Sequence, residues 1–193
     1  MRLIIVRHGE TEDNIRKIIQ GQRHGKLTKR GINQARRAAS KLRKERIDVI
    51  LTSDLRRAVH TAKEIARFHD APMIYSKSLR ERDMGVFQGK SRRLVDLHRA
   101  KVGLREAEFR PRGGESYIDV KKRVGRFMKK MYREHKHGTV LVVTHGVVIR
   151  ALLSIYTKIP IRETPRIMIK NAGIMILEIR SGMVKEIEED IFM

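Results

Sequence analysis

Short apolar runs divide the chain at regular intervals. The first run, residues 3–6, is rich in β-branched side chains and stops abruptly at Arg7 and His8, which predicts a buried strand over residues 2–7. Three similar runs predict strands at 48–53 (DVILTS), 73–76 (MIYS) and 139–144 (TVLVVT). Near the end, IMILEI and MVKEIEE flank Ser181-Gly182 and predict a hairpin. This hairpin can pair within the sheet or contact a second subunit, so a homodimer remains one of two expectations.

Between these runs, apolar residues recur at helical spacing. They predict a helix from the N-cap Thr28 to about residue 45, and further helices over 54–69, 115–135 and 147–156. Residues 84–114 carry several glycines and many charges, and predict loops, a short helix and a lid. Strands that alternate with helices predict an α/β fold, a three-layer α/β/α sandwich with a mainly parallel sheet. We expect one domain over residues 1–193, with the lid inside it.

The charge and the composition limit the kinds of binding partner that we expect. Forty-four Lys and Arg against 22 Asp and Glu give a net charge of +22. This excess favours anionic partners, which are phosphorylated metabolites, nucleic acid or an acidic membrane surface, or it reflects a general compositional bias. The aromatic content of 5% provides few stacking platforms, so nucleic acid is not expected as the specific partner. No run approaches the roughly 20 apolar residues of a membrane span, so we expect no membrane partner and a cytoplasmic location. The absence of cysteine excludes disulfides and thiolate chemistry.

Polar side chains with catalytic potential follow three of the predicted strands. Arg7 and His8 follow the first, Arg57 lies one helical turn after the second, and His145 follows the fourth. Ligands of open α/β sheets bind at the carboxyl ends of strands, so we expect these side chains to meet. Gly146 begins a helix, and its backbone adds to an anion site. Two guanidiniums and two imidazoles suit a phosphoryl group. Gly9 is expected to let another group approach the backbone closely.

The motifs around these residues resemble those of the histidine phosphatase superfamily, in its phosphoglycerate-mutase-like branch. The resemblance covers nearly the whole chain, with all motifs in the family's order. The matching segments are RHGETxxN at 7–14, LTxxGxxQA at 27–35, SDLxRAxxTA at 53–62, LxE at 79–81 followed by Gly85 and Gly89, GGES at 113–116 and THG at 144–146.

The resemblance implies a role for each of these residues. His8 is the nucleophile that becomes phosphohistidine, while Glu81 protonates the leaving oxygen and then acts as a base. Arg7, Arg57 and His145 hold the phosphoryl oxygens. The substrate end is lined by Asn14, Gln20, Gly21 and Arg82. The family needs no metal, and no cofactor is expected apart from 2,3-bisphosphoglycerate as a primer if the protein is a mutase.

These roles set requirements on charge. A neutral His8 with a fixed tautomer is needed for attack, and its other ring nitrogen needs a partner such as a backbone carbonyl. His145 is expected to be a charged donor. Glu81 is expected to be partly desolvated, because a proton donor at neutral pH needs such an environment.

Two reactions share such a site. Transfer from His8 to water gives a phosphatase, and transfer to another hydroxyl gives a phosphoglycerate mutase. Arg82 follows Glu81 as in mutases, but Asp83-Met84 departs from their usual continuation and the lid is short, so a phosphatase of small phosphomonoesters is favoured. A phosphoprotein phosphatase, or a basic nucleic-acid-binding protein on an idle catalytic fold, are the alternatives. A second negative group on the substrate would suit the basic lid residues Lys90, Arg92, Arg93, Arg99, Lys101, Arg105, Arg110 and Arg112.

Overall fold

A six-stranded sheet forms the centre of the molecule, in a computed structural model that describes residues 1–180 and 182–189 and the side chains of all of these except 185–189. The strands are β1 (Arg2–Arg7), β2 (Val49–Thr52), β3 (Met73–Tyr75), β4 (Thr139–Thr144), β5 (Ile174–Arg180) and β6 (Met183–Glu189). The helices are α1 (Glu12–Ile15), α2 (Lys29–Leu42), α3 (Arg56–Ala66), α4 (Arg92–Lys101), α5 (Tyr117–Glu134) and α6 (Gly146–Tyr156). The order in the sheet is β3-β2-β4-β1-β5-β6.

Helices cover both faces of the sheet, which confirms the predicted three-layer α/β/α sandwich. Successive side chains of a strand point to opposite faces. Leu3 and Ile5 of β1 therefore pack with α5 and α6, and Ile4 and Val6 pack with α2 and α3. Strands β1 to β4 are mutually parallel, while β5 and β6 add in antiparallel orientation. The sheet is mainly parallel, as predicted, with an antiparallel edge.

The predicted elements all exist, with bounds that differ by a few residues. Helix α3 begins at Arg56 and ends at Ala66, so it is shorter at both ends than the predicted 54–69. The late hairpin pairs within the sheet through β5 and β1, while Ser181 at its turn lies outside the described residues. The homodimer stays a prediction. Within the described ranges, no helix is long and apolar enough to cross a membrane.

The predicted lid segment folds against an early loop of the chain. It contains a single 3₁₀ turn, Gly85–Phe87, and helix α4. A small apolar cluster joins the lid to this loop through Ile19, Met84, Val95 and Phe109. The Ile19 amide also donates a hydrogen bond of 2.9 Å to the Lys90 carbonyl. These contacts place α4 beside the carboxyl end of the sheet, where its side chains form one wall of a cavity.

Candidate active site

Parallel pairing of β1 with β4 brings the two predicted histidines together. The register aligns Arg7 with Thr144, so His8 and His145 leave the sheet side by side. Their ring centroids lie 5.2 Å apart, at an interplanar angle of 57°. Both side chains are buried. The structure thus brings His8 and His145 together at one edge of the sheet, as the strand ends in the sequence predict.

Arg57 reaches these rings from the first turn of α3. Its Nε lies 3.3 Å from His8 Nε2 and 3.2 Å from His145 Nδ1. Its Nη1 and Nη2 donate to the carbonyls of Arg23 and Gly21, at 2.7 and 2.9 Å. Because one N–H is shared between two ring nitrogens, both of those nitrogens must be unprotonated acceptors. This geometry therefore describes two neutral imidazoles.

The environment favours the same protonation states. Burial, followed by the charges of Arg57 and Arg7, lowers the pKa of His8 well below its ordinary value. His8 Nδ1 donates to the Gly9 carbonyl at 2.7 Å, so its Nε2 carries the lone pair. A backbone carbonyl is thus the partner, as predicted.

The expectation that His145 is a charged donor is wrong for this structure. Burial first, then Arg57 and His8, lower the pKa of His145 well below its ordinary value. With Nδ1 accepting from Arg57, the proton of the neutral ring is on Nε2. Within the described part of the chain this buried Nε2 has no hydrogen-bond partner. It is a neutral donor available to an incoming oxygen.

Arg7 supplies the second buried cation. Burial lowers its pKa to about 10, with Glu81 acting in the opposite direction, so it stays charged at neutral pH. The pKa of Arg57 is likewise about 10. Arg7 Nη1 donates to the Ile169 carbonyl, while its buried Nε has no hydrogen-bond partner among the described residues. An anion that accepts from this Nε would satisfy it.

Glu81 faces these groups from the loop before the lid and is half-buried, as expected. Its Oε1 accepts from the backbone N–H groups of Arg82 at 2.8 Å and Val147 at 3.2 Å. The N-terminus of α6, expected to bind a ligand anion, therefore binds Glu81 through Val147 in this structure. A Cβ on Gly146 would lie 3.8 Å from Glu81 Oε2 and 4.0 Å from Arg7 Nε, so Gly146 keeps the space between them open.

The GGES segment anchors the loop that carries Glu81. Glu115 forms a bidentate pair with Arg123, with both hydrogen bonds at 2.8 Å. Arg123 Nη1 also donates to the carbonyls of Ser78 and Arg80, at 2.8 and 3.1 Å. Glu115 Oε2 accepts from the Asp83 amide at 3.0 Å. Backbone groups on both sides of Glu81 are thus fixed to α5 and its start.

Gly9 allows another group to approach the backbone closely, as predicted. A Cβ on Gly9 would lie 2.3 Å from the Gly31 carbonyl oxygen, and one on Gly31 would lie 2.0 Å from the Glu10 carbonyl oxygen. The close approach is made by the first turn of α2, not by a ligand. The RHG and LTxxG motifs are therefore two halves of one backbone contact.

We expect Gly31→Ala to destabilise the protein by about 1–3 kcal/mol, because the new methyl group meets backbone that cannot rotate away. Urea unfolding of the wild type and the variant measures this. Gly125→Ala in α5 is the matched control, since its Cβ would meet only Ile155 Cδ1, at 3.7 Å. It should be neutral, or stabilising by up to about 1 kcal/mol through helix propensity. Equal stability of the Gly31→Ala variant and the wild type would contradict this account.

The predicted substrate-end residues all line a cavity of about 390 Å³ above His8. Asn14 Oδ1 accepts from Asn171 Nδ2 at 3.2 Å. Gln20 Nε2 donates to Thr11 Oγ1 at 2.7 Å, and its buried Oε1 has no partner within the residues described. The Gly21 carbonyl holds Arg57, as described above, so this residue positions a cation as well as lining the cavity.

Arg82 lines the cavity and also holds two backbone segments together. Its Nε donates to the Glu115 carbonyl at 2.7 Å, and its Nη2 donates to the Phe109 carbonyl. The guanidinium carbon lies 5.1 Å from the ring centroid of Tyr117. Arg82 thus joins the lid to the start of α5.

Sequence reasoning missed the segment before β5, which forms another wall. Asn171 Nδ2 donates to the His8 carbonyl at 3.1 Å, and the Ala172 amide donates to the same oxygen at 3.2 Å. Arg150 of α6 donates from Nε and Nη2 to the Ile167 carbonyl, at 3.2 and 2.7 Å. The only sequence signal there is a turn-like Asn-Ala-Gly before an apolar run, which does not indicate a contact with His8. Residues 1–180 and 182–189 contain no group of three His, Asp or Glu side chains arranged to hold a metal ion.

Two neutral buried histidines should make stability depend on pH. Their pKa is lowered in the folded state, so below about pH 6.5 the unfolded chain binds protons that the folded protein does not. Stability should therefore fall as the pH drops from neutral, by up to about 1.4 kcal/mol per pH unit for each histidine. Urea unfolding between neutral and about pH 5 tests this, and the His8→Gln/His145→Gln variant should show the shallower slope. Parallel slopes would contradict neutral histidines.

Comparison with known proteins agrees with the family resemblance of the sequence motifs. A sequence model of the histidine phosphatase superfamily (branch 1) matches residues 3–188. The probable phosphoglycerate mutase GpmB of Proteus mirabilis is 32% identical over 180 residues, which cover 90% of this chain and 83% of that protein.

Solved structures agree in fold over almost the whole chain. The mycobacterial glucosyl-3-phosphoglycerate phosphatase in complex with VO3 has a TM-score of 0.86 and 29% identity, with 99% of this chain and 98% of that chain covered. A phosphoserine phosphatase mutant from Entamoeba histolytica, in complex with phosphoserine, has a TM-score of 0.82 and 25% identity, with 96% and 95% covered.

Proposed function

This chain belongs to the histidine phosphatase superfamily and is a phosphoryl-transfer enzyme, and from that premise we propose that it hydrolyses small phosphomonoesters through a phosphohistidine at His8. One observation supports this proposal above all. His8 is buried and neutral, its Nδ1 proton is held by the Gly9 carbonyl, and its Nε2 faces the Arg57 guanidinium. A nucleophile at phosphorus needs an unprotonated nitrogen close to cations that attract its substrate.

In the first step, His8 Nε2 forms a bond to phosphorus while the bond from phosphorus to the ester oxygen breaks. Glu81, in its protonated form, gives its proton to that oxygen, which leaves as an alcohol. When His8 Nε2 bonds to phosphorus, Arg57 Nε continues to donate its hydrogen bond to His145 Nδ1. The charge on the phosphoryl oxygens is stabilised by both arginines and by the N–H at His145 Nε2.

In the second step, water attacks the phosphohistidine and the N–P bond breaks. Glu81, now a carboxylate, takes a proton from the water, and the bonding electron pair returns to His8 Nε2. Inorganic phosphate leaves, and both His8 and Glu81 regain their starting protonation states. The half-buried position of Glu81 allows access both to the substrate and to water.

Hydrolysis is favoured over mutation by the substrates named for related structures and by the short lid. Two of the similar solved structures are of proteins named as phosphatases of small phosphorylated molecules. A phosphoglycerate mutase is the second candidate, because a curated relative at 32% identity is named a probable phosphoglycerate mutase. In that reaction the acceptor in the second step is a hydroxyl of the bound acid, after priming by 2,3-bisphosphoglycerate.

A panel of phosphate esters separates the two candidates. Phosphoserine, glucosyl-3-phosphoglycerate and 3-phosphoglycerate are incubated with the protein, the last with and without 2,3-bisphosphoglycerate. We expect phosphate release from at least one ester to exceed formation of 2-phosphoglycerate. Isomerisation that dominates release and requires 2,3-bisphosphoglycerate would show that the protein is a mutase.

A further inference from the structure

A second cavity adjoins the catalytic one. It has a volume of about 660 Å³, and three residues, Arg99, Glu106 and Pro165, line both cavities. The two spaces therefore adjoin where the lid meets the segment between α6 and β5.

Four arginines surround the second cavity, and we call it the arginine pocket. Arg99 and Arg105 come from the lid, and Arg162 and Arg166 come from the segment after α6. Two distant parts of the chain thus place guanidiniums at one point. The two carboxylates of the lining, Glu106 and Glu163, leave an excess of positive charge.

Most of this charge has no partner in the protein. Arg99 pairs with Asp96 at 3.3 Å, but within the described residues Arg105, Arg162 and Arg166 form no ion pair and no side-chain hydrogen bond. Glu106 accepts from the Tyr117 hydroxyl at 2.9 Å and so faces α5. Clustered guanidiniums whose charge exceeds that of the nearby carboxylates provide a site for an anion.

The pocket is also held in place from the catalytic side. Arg150 donates to the carbonyls of Thr164 and Ile167, at 3.0 and 2.7 Å, and so fixes the 3₁₀ turn that carries Pro165 and Arg166. Its Nη1 points the other way, 3.3 Å from the position of a Cβ on Gly146. One side chain therefore connects the rim of the arginine pocket with the active site.

We propose that the arginine pocket binds a second phosphate group of the substrate, so that the enzyme selects bisphosphorylated small molecules. This rests on the proposed function, and it names the substrate class. A phosphate dianion matches several guanidiniums better than a carboxylate does, because it offers three oxygens and two charges. The catalytic cavity holds the ester that is cleaved, and the arginine pocket holds the phosphate that stays.

Binding to catalytically inactive protein tests the pocket without turnover. In the His8→Ala background, we expect Arg162→Gln/Arg166→Gln to raise the Kd of fructose 1,6-bisphosphate about tenfold or more by calorimetry. The Kd of fructose 6-phosphate should change by less than about twofold. An equal change for both ligands, or no change for either, would overturn the proposal.

A matched pair controls for the general charge. Arg37→Gln/Arg43→Gln removes the same charge from exposed positions at α2, on the opposite face of the sheet from α6, and should leave both affinities unchanged. A similar loss in this pair would show that only the overall field matters, and would overturn the subsite.

Turnover of p-nitrophenyl phosphate by protein with intact His8 keeps the two proposals distinguishable. If the wild type turns over p-nitrophenyl phosphate but Arg162→Gln/Arg166→Gln leaves bisphosphate affinity unchanged, only the subsite fails; if turnover is absent from the wild type, the proposed function fails.

Discussion

Replacement of His8 by alanine should lower kcat by roughly 10⁴-fold or more for every ester that the protein hydrolyses. The reason is that the variant has no atom to receive the phosphoryl group, while Arg7, Arg57 and His145 can still bind the substrate. KM should therefore change far less than kcat. Steady-state release of inorganic phosphate, with circular dichroism and urea unfolding to verify the fold, measures the effect.

His60→Ala is the matched control, since His60 is an exposed histidine on α3, the same helix that carries Arg57. It should keep full activity. A His8→Ala protein that is folded and retains more than about a tenth of the wild-type kcat would rule out His8 as the nucleophile. Salt-sensitive binding of nucleic acid that is unaffected by His8→Ala, with no turnover by the wild type, would favour the nucleic-acid alternative.

Glu81→Gln should slow the phosphohistidine-forming step by about 10²–10⁴-fold for phosphoserine, whose alkoxide must be protonated as it leaves. For p-nitrophenyl phosphate the loss should be much smaller, because p-nitrophenolate leaves without a proton. Glutamine keeps the shape and the acceptor oxygen that the amides of Arg82 and Val147 contact. Single-turnover experiments with both substrates isolate this step from hydrolysis of the intermediate.

The internal control is the ratio of the rate losses for the two substrates. The external control is Glu108→Gln, at an exposed position of the lid. Both rates should be unchanged in Glu108→Gln. A Glu81→Gln protein that slows both substrates equally would show that Glu81 positions other groups and does not donate the proton.

The sequence was sufficient for the fold and for the centre of the site, because both depend on local patterns. Strand β1 is an apolar run with a sharp end, and Arg7 and His8 occupy that end. Once the sheet is parallel, the carboxyl ends of β1, β2 and β4 must lie at one edge. The meeting of His8, Arg57 and His145 then follows from topology without knowledge of any distance.

Other features depend on contacts between distant segments, which leave little trace in one sequence. The conformation and neighbours of residues 157–173 are set by Arg150 and by the backbone near His8, not by their own periodicity. Gly9 is required because the backbone of α2, at the LTxxG motif, packs directly against it. The neutral state of His145 results from complete burial beside Arg57, and burial of this degree appears only in three dimensions.

The central claim is that His8 Nε2 receives the phosphoryl group as a covalent adduct. Rapid mixing of protein and substrate, a quench into base to preserve the acid-labile N–P bond, and peptide mass spectrometry test it directly. We predict one phosphoryl group on His8 within a single turnover, and none on the His8→Ala protein. Turnover at a normal rate with no adduct at His8 at any quench time would contradict the claim.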